Sequence, residues 1–321
     1  MSCLGQDRID SLVRLGIQYH DSGEYEKAIA VYKEALRIDP KSNVVNYEIS
    51  ITYRYLDDNR KAIRHSNIVI RQKKENLLLA YISKGCALCD MGKTKKAIKL
   101  YKKAIAKYGA DHLIYYNLGV SYLRLKDYKN AELAYINEIT INPTHKSSHH
   151  GLGVLKSMQH QKVQSLLSLY LFLLLEPSST RAEIAYTLLR EQLDGNIQID
   201  DDKNTLNNPI SEESEFATVE LMLEMIKMSN SLEINKDKTP EELFIDNTKT
   251  FFLVLGELIN ENEKKDNIWW NFYVPFFYDL AQSDYLDVFC YYISISSSKK
   301  AKEWLESNDV RFKAFMNWIN D

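Results

Sequence analysis

LVRLGIQYHDSGEYEKAIAVYKEALRIDP, residues 12–40, decides the fold. It reads as two helices and a turn. Leu12, Leu15, Gly16 and Tyr19 recur three or four residues apart, and so do Ala28, Tyr32 and Ala35, which is the spacing of one helix face. DSGEY, residues 21–25, supplies the break between the two runs, and Pro40 stops the second because it has no backbone N–H to donate. Gly16 and Ala28 are small residues on apolar faces, so the two helices are expected to approach closely there, with Leu15, Tyr19 and Tyr32 filling the gaps beside them.

The stretch is one of a series. A small residue recurs at Gly16, Ser50, Gly85, Gly119 and Gly153, spaced 34, 35, 34 and 34 residues apart. Another follows each by twelve, at Ala28, Ala62, Ala97, Ala131 and Ser165. Tyr19, Tyr53 and Tyr122 stand three after their small residue, where Leu88 and Lys156 replace the ring in the other two units; Pro40, Pro143 and Pro177 close three of the five. A period in this range marks a stacked-repeat architecture. With these residues the pattern closely resembles the tetratricopeptide repeat, a family of stacked helical hairpins. The resemblance implies an all-α, right-handed superhelical solenoid of about five helix-turn-helix repeats, near residues 9–42, 43–76, 78–111, 112–145 and 146–179. RAEIAYTLLREQL, residues 181–193, continues the period as a partial sixth helix, so the array is expected over residues 7–193. Residues 194–214 are polar, acidic and Asn-rich and read as a linker, and residues 215–321 as a C-terminal helical capping domain that resembles no family.

Composition separates the halves. Residues 1–180 hold 27 Lys and Arg against 17 Asp and Glu; residues 181–321 hold 14 against 27. The N-terminus lacks the basic start and apolar run of a secretory signal, Ser2 after the initiator Met excludes myristoylation, and WIND at the other end offers no prenylation cysteine. The longest apolar run, LLSLYLFLLL at residues 166–175, is about half the roughly 20 residues that a membrane crossing needs. Four scattered cysteines fit no disulfide framework. A cytoplasmic protein is the expectation.

The resemblance places the first helix of each hairpin on a concave surface, with one residue after each small position facing the groove. Those are Ile17, Ile51, Cys86, Val120 and Val154, and four residues earlier stand Val13, Tyr47, Ile82, Tyr116 and His150. Family members that clamp a C-terminal carboxylate keep a Lys, Asn and Arg set there, which this chain lacks; only Asn117 sits where an asparagine grips a peptide backbone. So apolar a groove is suited to an apolar or amphipathic segment of another protein, or else to this chain's own C-terminal helices. The convex side carries a basic band: Arg60, Lys61, Arg64, Lys95, Lys96, Lys99, Lys102 and Lys103 lie on second helices, and from residue 60 to 107 there are 14 Lys and Arg with two acids, Glu75 and Asp90. It reads as a solvated face or as a surface for an acidic protein, nucleic acid or an anionic membrane. Tyr101 and Tyr108 are too few rings for a base-stacking platform.

In the second half, TPEE at residues 239–242 is a capping-box helix start that puts Phe244, Thr248, Phe251, Leu255 and Leu258 on one face. WWNFYVPFFYDL, residues 269–280, follows a candidate cap at Asp266 and is expected to bury Trp269, Phe272, Phe276 and Leu280, with Pro275 marking a kink. KVQSLLSLYLFLLL is apolar on nearly every side, so it is expected to be covered on every side, its outer surface by the C-terminal domain.

Chemistry-bearing patterns are sparse. Cys86 and Cys89 have a CxxC spacing inside a helix without a second pair; His145, His149 and His150 have no acidic neighbour to complete a ligand set. Asp200, Asp202 and Asn204 imitate the start of a calcium loop, but Thr205 stands where the turn needs Gly. Phosphate-binding glycine loops and GxSxG are missing. The sequence therefore predicts no catalytic residues, no metal and no cofactor, and points to an interaction scaffold or adaptor instead of an enzyme.

Overall fold

The computed structural model describes residues 3–195, 215–230, 232–259 and 266–320. Among them it contains seventeen α-helices and no strand. The linker and the calcium-like loop at residues 200–205 lie outside the described residues. The chain divides into two compact units, Met1–Pro143 and Thr144–Asp321.

The first unit is four antiparallel hairpins: α1 (Cys3–Asp21) with α2 (Tyr25–Ile38), α3 (Asn43–Tyr55) with α4 (Asn59–Gln72), α5 (Leu77–Asp90) with α6 (Thr94–Tyr108), and α7 (His112–Arg124) with α8 (Tyr128–Ile141). Their interiors are built as the spacing predicts. A Cβ placed on Gly16 would stand 2.2 Å from the Tyr32 ring, and on Gly85 2.2 Å from Tyr101; on Gly119 it would be 2.7 Å from Tyr135. All three rings are fully buried. Each ring lies sixteen residues after its glycine, so the helix carrying the glycine is grooved where its partner is ridged. Where Ser50 replaces Gly, the matching position is Ser66, which leaves room for the extra side chain. Ser50 Oγ lies 2.9 Å from Ser83 Oγ of the next hairpin. Leu15 departs from its expected role: it is 39% exposed, because the ring of Tyr32 already fills the space beside Gly16.

The turns obey the same period. Seven residues after each small residue stands one in the left-handed region: Gly23 (φ 76°), Asp57 (57°), Gly92 (71°), Lys126 (57°) and His160 (59°). The next N–H then reaches back over the helix end: Glu24 donates to Tyr19 O, Asp58 to Tyr53 O, Lys93 to Leu88 O, Asp127 to Tyr122 O and Gln161 to Lys156 O, at 2.8 to 3.0 Å. This is the Schellman closure, which satisfies the last carbonyls of a helix. Three of the five positions are not glycine and accept a strain that L residues seldom carry.

The second unit begins with a fifth hairpin, α9 (Lys146–Met158) and α10 (Lys162–Leu175), and then α11 (Thr180–Asp194). It continues through α12 (Ala217–Asn230), α13 (Pro240–Glu257), α14 (Val274–Gln282), α15 (Leu286–Ile293), α16 (Lys299–Ser307) and α17 (Asp309–Asn320). As expected from its composition, α10 is covered all round: every residue from Val163 to Leu174 is buried, against α9 and α11 on one side and α12 and α15 on the others. Tyr170 is its hub. The ring lies 4.9 Å from Phe252, 5.8 Å from Phe277 and 5.9 Å from Phe289, and its hydroxyl is 2.8 Å from Thr248 Oγ1. Such ring pairs each add about 0.5–1.5 kcal/mol beyond their burial. The capping box forms as expected: Glu242 N–H donates to Thr239 Oγ1, and Thr239 N–H to Glu242 Oε2.

The aromatic stretch is shifted from its expected phase. Trp269–Tyr273 is a π turn in which Val274 N–H donates to Trp269 O five residues back. Pro275 has no N–H for the carbonyl four residues before it, so a regular α turn is unavailable there. The buried face becomes Trp269, Trp270, Tyr273, Val274, Phe277 and Leu280, leaving Phe272 and Phe276 half-buried. Asn267, not Asp266, caps the turn, its Oδ1 accepting from the N–H of Trp269 and of Trp270.

Gly16→Ala tests the hairpin interior. Tyr32 cannot retreat, so overpacking of about 1–3 kcal/mol outweighs the roughly 0.5–1 kcal/mol that alanine adds to a helix. A net loss of about 1–2 kcal/mol in denaturant unfolding is expected, with the far-UV helix signal retained.

Candidate functional site

In the first unit α1, α3, α5 and α7 each present the residue after the small position. Ile17, Ile51, Cys86 and Val120 are all half-buried: held by the hairpin and still open to one side. Tyr47, Ile82 and Tyr116, one turn earlier, are half-buried too, Tyr116 with its ring 6.3 Å from that of Tyr135. Val13 differs. It is 8% exposed and packs with Ile9 in the core of the first hairpin, so its side chain serves the fold. His150 and Val154 lie on α9 and so belong to the second unit, where both are half-buried. His150 stands edge-on to Phe172 at 4.7 Å, and burial together with the Arg181 charge lowers its pKa.

The Asn117 amide is engaged within the chain at both ends. Its Nδ2 donates to Leu113 O at 2.8 Å, and its Oδ1 accepts from the Cys86 thiol at 3.2 Å. Burial pushes that thiol up, away from the reactive thiolate. Cys89 is buried, its Sγ 3.4 Å from Ser121 Oγ. The histidines are dispersed in use: His145 Nδ1 lies 3.0 Å from Ser148 Oγ, while the buried His149 has its Nδ1 2.6 Å from the hydroxyl of Tyr273. No cluster of three His, Cys, Asp or Glu able to hold a metal occurs among the described residues.

One charged rung escaped the sequence reading. Asp90 on α5 accepts from Arg54 of α3 and from Arg124 of α7, at 3.3 Å each, tying three successive first helices. Such exposed pairs contribute little stability. Their interest is positional, since Arg54 follows Ser50 by four residues while Asp90 and Arg124 follow Gly85 and Gly119 by five. Comparing the residues four and five positions after each small residue, repeat by repeat, would have found it.

The basic band is laid out as the helical spacing predicts. Arg60, Lys61 and Arg64 on α4, and Lys95, Lys96, Lys99, Lys102 and Lys103 on α6, are all exposed. Neither helix contains an Asp or Glu. Lys95 and Lys99, and Lys99 and Lys103, are like-charge pairs at a four-residue spacing, each costing about 0.2–0.5 kcal/mol. Lys95 and Lys96 also oppose the helix dipole in the first turn. The excess charge is felt inside: burial, then Arg71 and Lys103, lower the pKa of Lys84 on α5.

The family model of the TPR repeat matches residues 16–51, and that of the tetratricopeptide repeat residues 82–145. The chain contains tetratricopeptide repeats over these residues. Among curated proteins, the BBSome complex member BBS4 of Bos taurus is 30% identical over 122 residues, 38% of this chain and 23% of that protein, so the chain spans about a quarter of this relative's length. Among solved structures, a TPR protein of Thermus thermophilus aligns with TM-score 0.50 and 17% identity over 58% of this chain and 98% of its own. PilW, a widely conserved type IV pilus biogenesis factor, gives 0.51 and 16% over 61% and 89%; pilF of Pseudomonas aeruginosa gives 0.51 and 18% over 60% and 86%. These structural likenesses establish the fold. The repeats support a protein-interaction scaffold as the general role. No helix among the described residues is long and apolar enough to cross a membrane.

His65, on the same helix as Arg60 and Arg64, offers a pH test. Burial, then the Arg64 and Lys33 charges, depress it from 6.5 to about 4, while its Nδ1 lies 2.9 Å from Asn46 Oδ1. The folded state holds this ring neutral, so the unfolded chain binds the proton first. Stability is full above pH 6.5 and falls as the pH drops toward 4. Urea unfolding at stepped pH should show that decline, and His65→Gln should flatten it.

Proposed function

We propose that this protein is an adaptor whose repeat array, residues 7–193, receives an apolar or amphipathic segment of a partner protein, with residues 215–321 as a helical cap. The observation that carries this reading is the row of half-buried apolar side chains at one repeat position, Ile17, Ile51, Cys86 and Val120, with Tyr47, Ile82 and Tyr116 beside it. An apolar row left half open along successive helices suits an incoming helix by burial, each large side chain contributing about 1.5–3 kcal/mol before ordering costs. Because the Asn117 amide is already engaged on both sides, side-chain burial and not a grip on peptide backbone would supply the affinity. The resemblance of one stretch to a BBSome complex member agrees with a role inside an assembly. We read the protein as non-catalytic, the Cys86 thiol being kept protonated by burial, and as cytoplasmic.

The test is a double substitution. A partner co-purified from the native cell with the full-length chain should be lost from Ile51→Asp/Val120→Asp, its affinity falling by about tenfold or more. Both positions are half-buried, so circular dichroism must show the helical fold intact. Undiminished binding by the folded variant would overturn the groove reading.

A further inference from the structure

The basic band on α4 and α6 lies on second helices, apart from the half-buried apolar row on the first helices. Of the second helices in the first unit, α2 and α8 mix charges, with Glu26, Lys27, Lys33 and Glu34 on one and Lys129, Glu132 and Glu138 on the other. Only α4 and α6 carry cations without a single acid. Among the described residues Lys61 bridges to Asp58 at 2.6 Å, while Arg60, Arg64, Lys95, Lys96, Lys99 and Lys103 have no ion pair. The charges follow one another up α6 at three- and four-residue steps from Lys95 to Lys107, a rail of about 18 Å. Among the described residues no carboxylate pairs with Lys95, Lys96, Lys99 or Lys103 to offset their mutual repulsion.

The rail also lacks the features that other anionic partners require. Its rings are not offered for stacking: Tyr101 is fully buried, and Tyr108 is half-buried with its ring 5.8 Å from that of Tyr81. Single-stranded nucleic acid therefore finds no platform for its bases. Between the lysines stand Ala97 and Ala104, both buried, and Ile98 and Leu100, both half-buried. Ile105 is half-buried and the exposed Ala106 is only a methyl group, so α6 offers no large exposed apolar side chain to insert into a lipid surface. Every cation on α6 is a lysine, a point charge without the planar fork that grips a phosphate in two places. Lysines stepped at helical spacing match carboxylates stepped at the same spacing on another helix.

We infer that the exposed lysine face of α6 docks an acidic helical segment of a partner protein, whose Asp and Glu recur at three- and four-residue intervals. The contact works by relieving like-charge repulsion on α6. It is therefore sensitive to salt and independent of the apolar groove.

The probe is a labelled helical peptide of about 20 residues, long enough to span the rail, with Glu at alternating three- and four-residue spacing, titrated with the full-length protein by fluorescence anisotropy. Binding is expected to weaken steeply between about 50 and 200 mM salt. Lys99→Glu/Lys103→Glu should weaken it by about tenfold or more, while Ile51→Asp/Val120→Asp leaves it unchanged. Both lysines are exposed, so the charge-reversed protein should keep its fold. Unchanged binding by the charge-reversed variant would overturn the inference. So would tighter binding of a duplex oligonucleotide of equal net charge, which would show that the rail reads phosphates.

Discussion

The contact between a glycine on one helix and a ring on the next is what the first unit depends on. Gly16, Gly85 and Gly119 leave no room for a side chain against Tyr32, Tyr101 and Tyr135. Because the ring arrives sixteen residues later each time, helix length, turn and crossing must be repeated as well. The left-handed residue at each turn follows from that demand. With the turn falling at the seventh residue after the small position, the chain must reverse in one step, and even Asp57, Lys126 and His160 take the conformation. Packing fixes the period, and the period then imposes backbone strain on residues that would not choose it. The second hairpin supports this reading from the other direction. It loses both the glycine and the ring, and Ser50 with Ser66 keeps the helices close without either.

The fifth hairpin keeps the geometry and changes the chemistry. A Cβ on Gly153 would stand 2.9 Å from Leu169, so the same close approach is filled by an aliphatic side chain. Freed from the ring, α10 turns Tyr170 the other way, into the cluster formed by Phe244, Phe251, Phe252, Phe277 and Phe289. Lys156 takes the place held in three of the other hairpins by tyrosine. It is buried, donates to Gln161 Oε1 at 2.7 Å, and has its ammonium 5.5 Å from the centre of the Trp269 ring. The outer face of this hairpin has thereby become a core face of the second unit.

How far the sequence could be read follows from which interactions are periodic. The hairpins, the small positions, the all-round burial of α10 and the capping box at Thr239 all rest on local spacing, and all were legible. Leu15 was misjudged because its spacing says only that it lies near the seam, whereas the ring of Tyr32 decides who fills it. Phe272 and Phe276 were misjudged because an α-helical step was carried through a stretch where Pro275 forbids one. Asn267 took the cap expected of Asp266 for the same reason, since the π turn begins where the cap must act. In the candidate site, half-burial of the apolar row follows from helical phase. The engagement of Asn117 with Cys86 and the rung through Asp90 arise between hairpins, where sequence distance carries no signal unless residues are compared repeat by repeat.

The same architecture explains how one short array can offer two surfaces of opposite character. The glycine, alanine and ring positions use up the faces that hairpins turn toward each other, and they alone determine the stacking. Residues one step beyond them on the first helices, and the outer faces of the second helices, bear little of the folding constraint. Ile51 and Val120 can therefore be apolar while Lys99 and Lys103, one layer away in the same unit, are charged, with no conflict in the core between them. A repeat array built this way can change one set of side chains without disturbing the other. Substitutions at Ile51 and Val120 and at Lys99 and Lys103 should for that reason combine additively in stability, as expected of positions that share no contacts.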